Sequence, residues 1–225
     1  MKIISYNIAN YSQSKIDALL KRGADVYILP EVHSCKEVSL PPEFELFRFA
    51  DAAESNKGLG VIARKECCLC VPSWFDEAHK YILPLLCDDI IILAMWPTCT
   101  QSNSPKGYPQ IALEALRYYS TYFVGKKVLI TGDFNCFMGQ RDASERRGTL
   151  KQIVEYLSSH KIFSLYHLQT GEEFGNESRA TFHWRYRVDE RFFLDYTFTN
   201  IPGVRYTLEE WDATFSDHHA QEIII

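Results

Sequence analysis

The sequence has no surplus of positive charge. It carries 24 Lys and Arg against 29 Asp and Glu, a net charge of −5 with His neutral. That balance argues against a protein that holds nucleic acid by bulk electrostatics, though not against an enzyme that acts on phosphodiesters. Long apolar runs are missing too: nothing approaches the roughly 20 residues of a membrane span, so no membrane partner is expected. No repeat, low-complexity tract or linker interrupts the chain, and no charged leader with an apolar core precedes Lys2–Ile8, so no secretory signal is expected. Cysteine is present but in an odd number, seven. Cys67, Cys68 and Cys70 cluster without a second Cys or His pair at zinc-finger spacing, so they are expected to be buried free thiols. Reduced thiols in turn favour the cytoplasm.

Aromatic residues are plentiful: 14 Phe, 13 Tyr and 4 Trp point to extended β structure. The 225 residues are expected to form one domain, long enough to bury about 70% of the unfolded surface. The chain opens with a strand-like 2–8, a helical pattern over Ser14–Arg22 stopped by Gly23, and a short buried strand, Asp25–Glu31. For that strand–helix–strand unit a parallel pair is the default. Extended segments follow at Phe44–Phe49, Gly60–Arg64, Cys68–Trp74, Tyr81–Leu86 and Ile90–Trp96, meander-like and mostly antiparallel. Ile111, Ala115, Tyr119 and Phe123 predict an amphipathic helix over Gln110–Val124, and Leu150, Ile153, Val154 and Leu157 another over Thr149–His160. The last third reads as strands at Ala180–Arg187, Arg191–Asn200, Val204–Trp211 and Ala220–Ile225. Two mixed sheets packed face to face with helices outside would accommodate this α/β pattern.

One stretch stands out, Val128-Leu-Ile-Thr-Gly-Asp-Phe-Asn135. In extended chain Asp133 and Asn135 face one way and Phe134 turns back into the protein. Alone, this is as compatible with a polar turn after a strand as with a site. It has company, however. Asn7, Glu31, Asp195 and Asp217 also stand at the ends of apolar strands, where sites gather in layered α/β proteins. Asp195 interrupts the run Phe192–Phe198, and a carboxylate buried there needs a partner.

Together these residues resemble the endonuclease/exonuclease/phosphatase superfamily, the DNase I-like fold. The matching pieces are Ser5-Tyr-Asn7, Leu29-Pro-Glu31, Gly58-Leu-Gly60, Gly132-Asp-Phe-Asn135, Asp195-Tyr-Thr-Phe198 and Ser216-Asp-His218, in family order across nearly the whole chain. The resemblance implies a four-layer α/β/β/α sandwich and Mg²⁺-dependent phosphoester hydrolysis, with Mn²⁺ as a substitute. Acidic metal ligands would account for part of the negative charge. By the same resemblance Glu31 is the metal ligand, Asp217 lies near the metal or binds a second ion, and Asp133 activates the attacking water. Asn7 and Asn135 hold Asp133 and a phosphate oxygen in register, and His218, oriented by Asp195, stabilises the transition state. Trp96 stands where relatives often carry a phosphate-touching Tyr or His.

Substrate candidates are thinner: Arg141, Arg146 and Arg147 after the Asp133 loop, and the basic–aromatic group around His183, Trp184 and Arg185. Such mixtures can track a phosphate backbone and stack bases, and they can equally be the exposed face of an edge strand. A nuclease acting on DNA or RNA is the leading expectation, as a monomer. A phosphatase of a small or lipid head-group phosphoester and a non-catalytic binding module are the alternatives.

Overall fold

The computed structural model of the chain describes residues 1–99, 106–140 and 147–225. The opening unit is β1 (Lys2–Ser5), α1 (Gln13–Leu20) and β2 (Val26–His33), with β1 and β2 parallel as expected. Ser12 caps α1, its hydroxyl accepting from the Lys15 amide, and Gly23 takes the left-handed turn that follows. Next come β3 (Phe44–Phe49), β4 (Lys57–Arg64), β5 (Ile82–Cys87), β6 (Ile90–Met95), α2 (Tyr108–Tyr119) and β7 (Lys127–Asp133). The last third holds α3 (Leu150–Ser159), β8 (Phe163–Ser164), α4 (Leu165–Thr170), β9 (Phe182–His183), β10 (Arg191–Phe192), β11 (Asp195–Thr199), β12 (Arg205–Leu208) and β13 (Gln221–Ile224).

Two mixed sheets result, in the orders β12-β13-β1-β2-β4-β3 and β5-β6-β7-β11-β8, with β9 and β10 forming a separate ribbon. Each sheet contains one parallel pair joined by a helical crossover, β1/β2 through α1 and β6/β7 through α2. Alternation along the strands decides the layering. Ile4, Tyr27, Leu29 and Ile62 face outward from the six-stranded sheet and pack with Ile16 and Leu19 of α1. Ile3, Val26, Ile28, Leu59 and Val61 face inward and join the core of the five-stranded sheet, which continues to Ile111, Leu116, Ile153 and Leu157 of α2 and α3. The order of layers is therefore helix, sheet, sheet, helix, as the resemblance implied. β6, expected to be a central strand buried on both faces, lies between β5 and β7.

Four sequence expectations need correction. Cys68–Trp74 is not a strand: a short 3-10 turn at Lys65–Cys67 ends with Cys68 at φ +50°, and only Cys70 bridges to Leu86. Cys68 and Cys70 are consequently exposed and Cys67 half-buried, so the expected burial of this cluster fails. The strand expected over Ala180–Arg187 is reduced to Phe182–His183, because a turn at Trp184–Tyr186 puts Arg185 and Tyr186 at positive φ. Arg191–Asn200 is broken at Phe193–Leu194, where the Leu194 and Asp195 amides both donate to the Thr181 hydroxyl, at 2.8 and 2.9 Å, instead of to a neighbouring strand. The short α4, held by local bonds from Ser164, Tyr166 and His167, had no strong periodic signal.

Candidate active site

The strand directions bring the polar strand ends to one side of the sandwich. β1 and β2 run out there at Asn7 and Glu31, β7 at Asp133, and the antiparallel β4, β11 and β13 begin there with Lys57, Asp195 and the Asp217–His218 loop. Asp195 lies directly across from Asp133 in the β7–β11 ladder. Gly132 makes the approach possible. Its φ is +146°, and a Cβ there would meet the Met95 carbonyl oxygen at 2.0 Å. Phe134 turns into the core between Tyr196 and Phe198, its expected direction.

Asp133 is 1% exposed. One carboxylate oxygen accepts from Asn7 Nδ2 at 3.1 Å and the other from the Asn135 amide at 2.9 Å. Burial raises the Asp133 pKa and the negative charge of Asp195 raises it further; His218 opposes them, and the result is about 7. His218 Nδ1 is 2.9 Å from Asp195 Oδ2, both side chains being buried. With Nδ1–H donated to Asp195, Nε2 is left for the cleft. Burial disfavours the imidazolium, but Asp195, by charge and hydrogen bond, outweighs it with help from Asp133 and Asp217, and the His218 pKa rises to about 9. The Ser216 hydroxyl ties the loop down, donating to the Asn7 carbonyl at 2.6 Å and accepting from the His218 amide at 3.1 Å. This bond joins the two ends of the chain at the site.

His218 opens into a cleft of about 680 Å³, within the range typical of ligand sites, with Asn7, Asp133 and Asp195 buried behind it. Glu31, Asn135, Asp217 and His218 line it, with Trp184, Tyr108, Phe137, Phe182, Tyr186 and Phe192 as an aromatic wall. Glu31 sits on a β-bulge. The register jumps from Pro30↔Leu59 to Val32↔Gly58, leaving Glu31 unpaired at φ +65° with its side chain in the cleft. Lys57 Nζ forms an ion pair with its carboxylate.

The candidates of the sequence divide accordingly. Asn7–Asp133 and Asp195–His218 form two buried hydrogen-bonded pairs side by side, and Glu31, Asn135, Asp217 and Trp184 line the cleft beside them. Trp96 and His183 are corrections. Trp96 is buried in the core edge-to-face on Tyr81. His183 turns away from the cleft, stacks on Trp211 at 3.7 Å, and shares a 3.1 Å contact with His219. Its position on β9 places it opposite to the cleft-lining Phe182. Arg141 lies outside the described residues. Sequence reasoning missed Lys57, hidden in a turn-like Asn-Lys-Gly, and the pair Phe182 and Phe192, which only the ribbon register makes neighbours. Arg179, four residues before His183 in the sequence, is engaged elsewhere, with the Leu208 and Glu209 carbonyls.

The donor set fits a hard divalent cation. Glu31 and Asp217 offer carboxylate oxygen at the accessible cleft. Asp133, Asp195 and His218 also place three ligand atoms within 4.8 Å of one another. That inner set is buried, however, and its atoms already bond to Asn7, Asn135 and each other.

No family model matches the sequence, and no curated protein matches it. Solved structures do. The AP endonuclease LMAP from Leishmania major is similar with a TM-score of 0.69 at 14% identity, over 99% of this chain and 86% of that one. The endonuclease domain of TRAS1, a telomere-specific non-LTR retrotransposon, gives 0.66 at 13% identity, over 100% and 97%. An AP endonuclease from Archaeoglobus fulgidus gives 0.63 at 15% identity, over 100% and 98%. The chain therefore shares the fold of these endonucleases, a DNase I-like α/β sandwich.

Proposed function

We propose that the chain is a divalent-cation-dependent phosphodiester hydrolase that acts as a nuclease. The observation that carries this reading is the convergence of Asn7–Asp133 and Asp195–His218 on a cleft lined by Glu31 and Asp217. Two titratable groups whose pKa values are both raised by the buried cluster, a carboxylate to about 7 and an imidazolium to about 9, are the complement that hydrolysis needs.

Asp133 accepts a proton from water as the water oxygen bonds to phosphorus and the P–O bond to the leaving alcohol breaks, the leaving oxygen taking a proton from solvent. Asn7 fixes the carboxylate, and the Asn135 carboxamide, with φ +53° at its own backbone, stands at the cleft edge for a phosphate oxygen. His218 directs Nε2–H at a non-bridging oxygen as charge builds there, with Asp195 holding the ring's orientation. Glu31 and Asp217 would hold Mg²⁺, with Mn²⁺ as a substitute. Such an ion, when bound, neutralises phosphate charge and that of the leaving oxygen. Trp184 and the other cleft aromatics offer faces on which a base or sugar can lie. The similarity to three endonucleases supports a nucleic-acid substrate.

One observation favours a second reading, a phosphatase of a small phosphoester. Among the described residues lining the cleft, Lys57 is the one permanent cation, too few to track a long backbone. Purified protein assayed with Mg²⁺, and with chelator, on abasic duplex, single- and double-stranded DNA, RNA, a diester dye and a monoester dye separates the two. Chelator-sensitive cleavage of a polynucleotide is the expected result; cleavage of the monoester alone would move the assignment to the phosphatase.

A further inference from the structure

Lys57 has no role in the chemistry above, yet its ammonium is on the carboxylate assigned to the cation. The pair is built by the backbone and not by chance rotamers. The bulge at Glu31 takes that residue out of the β2–β4 ladder and points it into the cleft, while Lys57, the first residue of β4, pairs across to His33. Gly58 lets β4 enter tightly there: a Cβ would lie 2.7 Å from the Ala50 Cβ and 2.8 Å from the Phe49 carbonyl oxygen. The Ser55 hydroxyl accepts the Lys57 amide at 3.0 Å and anchors the turn.

Stability does not explain the contact. The Lys57 side chain is 45% exposed and that of Glu31 21%, and pairs of that exposure contribute little to folding. What the ammonium does is compensate a carboxylate that shares a cleft with Asp217 and lies close enough to raise the Asp133 pKa by its charge. A lysine engages one carboxylate at a time through a flexible stem, whereas a divalent cation draws on Glu31 and Asp217 together.

We propose that Lys57 is a displaceable counter-cation for Glu31, competing with the divalent ion for that carboxylate and so setting the site's affinity for it. This rests on the reading of Glu31 as a cation ligand. Lys57 is a positioning residue here, acting through Glu31. The consequence is a site that keeps its acidic groups charge-compensated without the ion and binds the ion more weakly than its carboxylates alone would.

The test is calorimetric titration of chelator-stripped protein with Mn²⁺, with thermal melts as a check of folding. Lys57→Met keeps the stem and removes the charge, Lys57→Arg keeps the charge, and Glu31→Gln removes the ligand. Lys57→Met is expected to bind Mn²⁺ roughly three- to tenfold tighter than the wild type, the loss of a competing pair of modest strength. Lys57→Arg should stay near the wild type and Glu31→Gln should bind at least tenfold more weakly. Should Lys57→Met be used up by misfolding, Lys57→Gln carries the same expectation. If the charge-removing variant binds no tighter while Glu31→Gln is impaired, the competition is overturned and the cation site stands. Mn²⁺ binding unchanged in Glu31→Gln would overturn the cation site itself, and Lys57's role with it.

Discussion

In the proposed mechanism single residues carry the chemistry, and each is held by a specific partner. Asp133 is fixed by Asn7 and by the Asn135 amide, and His218 by Asp195. Asp133→Asn removes the base and His218→Ala the imidazolium. Each is expected to lower kcat by about 10²–10⁴-fold with little change in the melting temperature, measured by steady-state cleavage beside thermal unfolding. The pH behaviour follows from the sign of the His218 shift. Its folded pKa, about 9, lies above the ordinary imidazole value of 6.5, so its contribution to stability is complete below that value and fades as pH rises through about 9. Imidazole ¹⁵N NMR with chelator present should find His218 titrating near 9. In Asp195→Asn the midpoint should fall toward the ordinary value or below it, since burial then acts with less opposition. These residues were legible in the sequence, because each is a polar group interrupting or ending an apolar run.

Elements decide where those residues meet. The β7 strand can bring Asp133 to the floor of the site only because Gly132 occupies a backbone position closed to side chains, with the Met95 carbonyl against it. Gly132→Ala should destabilise the protein by about 3 kcal/mol or more, read by equilibrium denaturant unfolding, and cleavage should fall in whatever fraction remains folded. The bulge in β2 does the equivalent for Glu31. Neither device was visible as such: a Gly before Asp reads as a turn, and a bulge leaves no periodic mark. The β9–β10 ribbon was likewise over-read as long strands. Its alternating aromatics satisfied the strand pattern, but the positive φ of Arg185 and Tyr186 ends the ladder and turns Trp184 toward the cleft. His183, one residue along, points the other way and was misassigned for want of that register.

At the scale of the molecule, the site exists because two sheets end together. Asn7 comes from one sheet and Asp133 from the other, and Ser216 clamps the C-terminal loop to the Asn7 carbonyl. An ion binding at Glu31 and Asp217 therefore stabilises the folded state but not the unfolded chain, where these residues are far apart. Mg²⁺ at about a hundred times its dissociation constant should raise the melting temperature by about 5–10 °C, and Glu31→Gln should abolish that rise. The thermal shift is measured with and without chelator. No described helix is long and apolar enough to cross a membrane.

Composition and periodicity by themselves determined the α/β class, the helical crossovers, the central strand at Ile90–Met95 and the short set of polar strand ends. They could do so because each depends on local spacing along one strand or helix. Tertiary structure alone decided which of those ends share a site, that Lys57 sits on Glu31, that Phe182 and Phe192 line the cleft, and that Trp96, His183 and the Cys67–Cys70 cluster do not behave as their surroundings in the sequence implied. Those outcomes depend on register, a bulge and left-handed turns, which fix side-chain direction across distant segments and leave no repeat in the sequence. Asp133 and Asn135 could be marked as facing one way from the chain alone; that Asn135 shares one cleft with His218, Glu31 and Asp217, with Asp133 buried behind it, is a property of two sheets meeting.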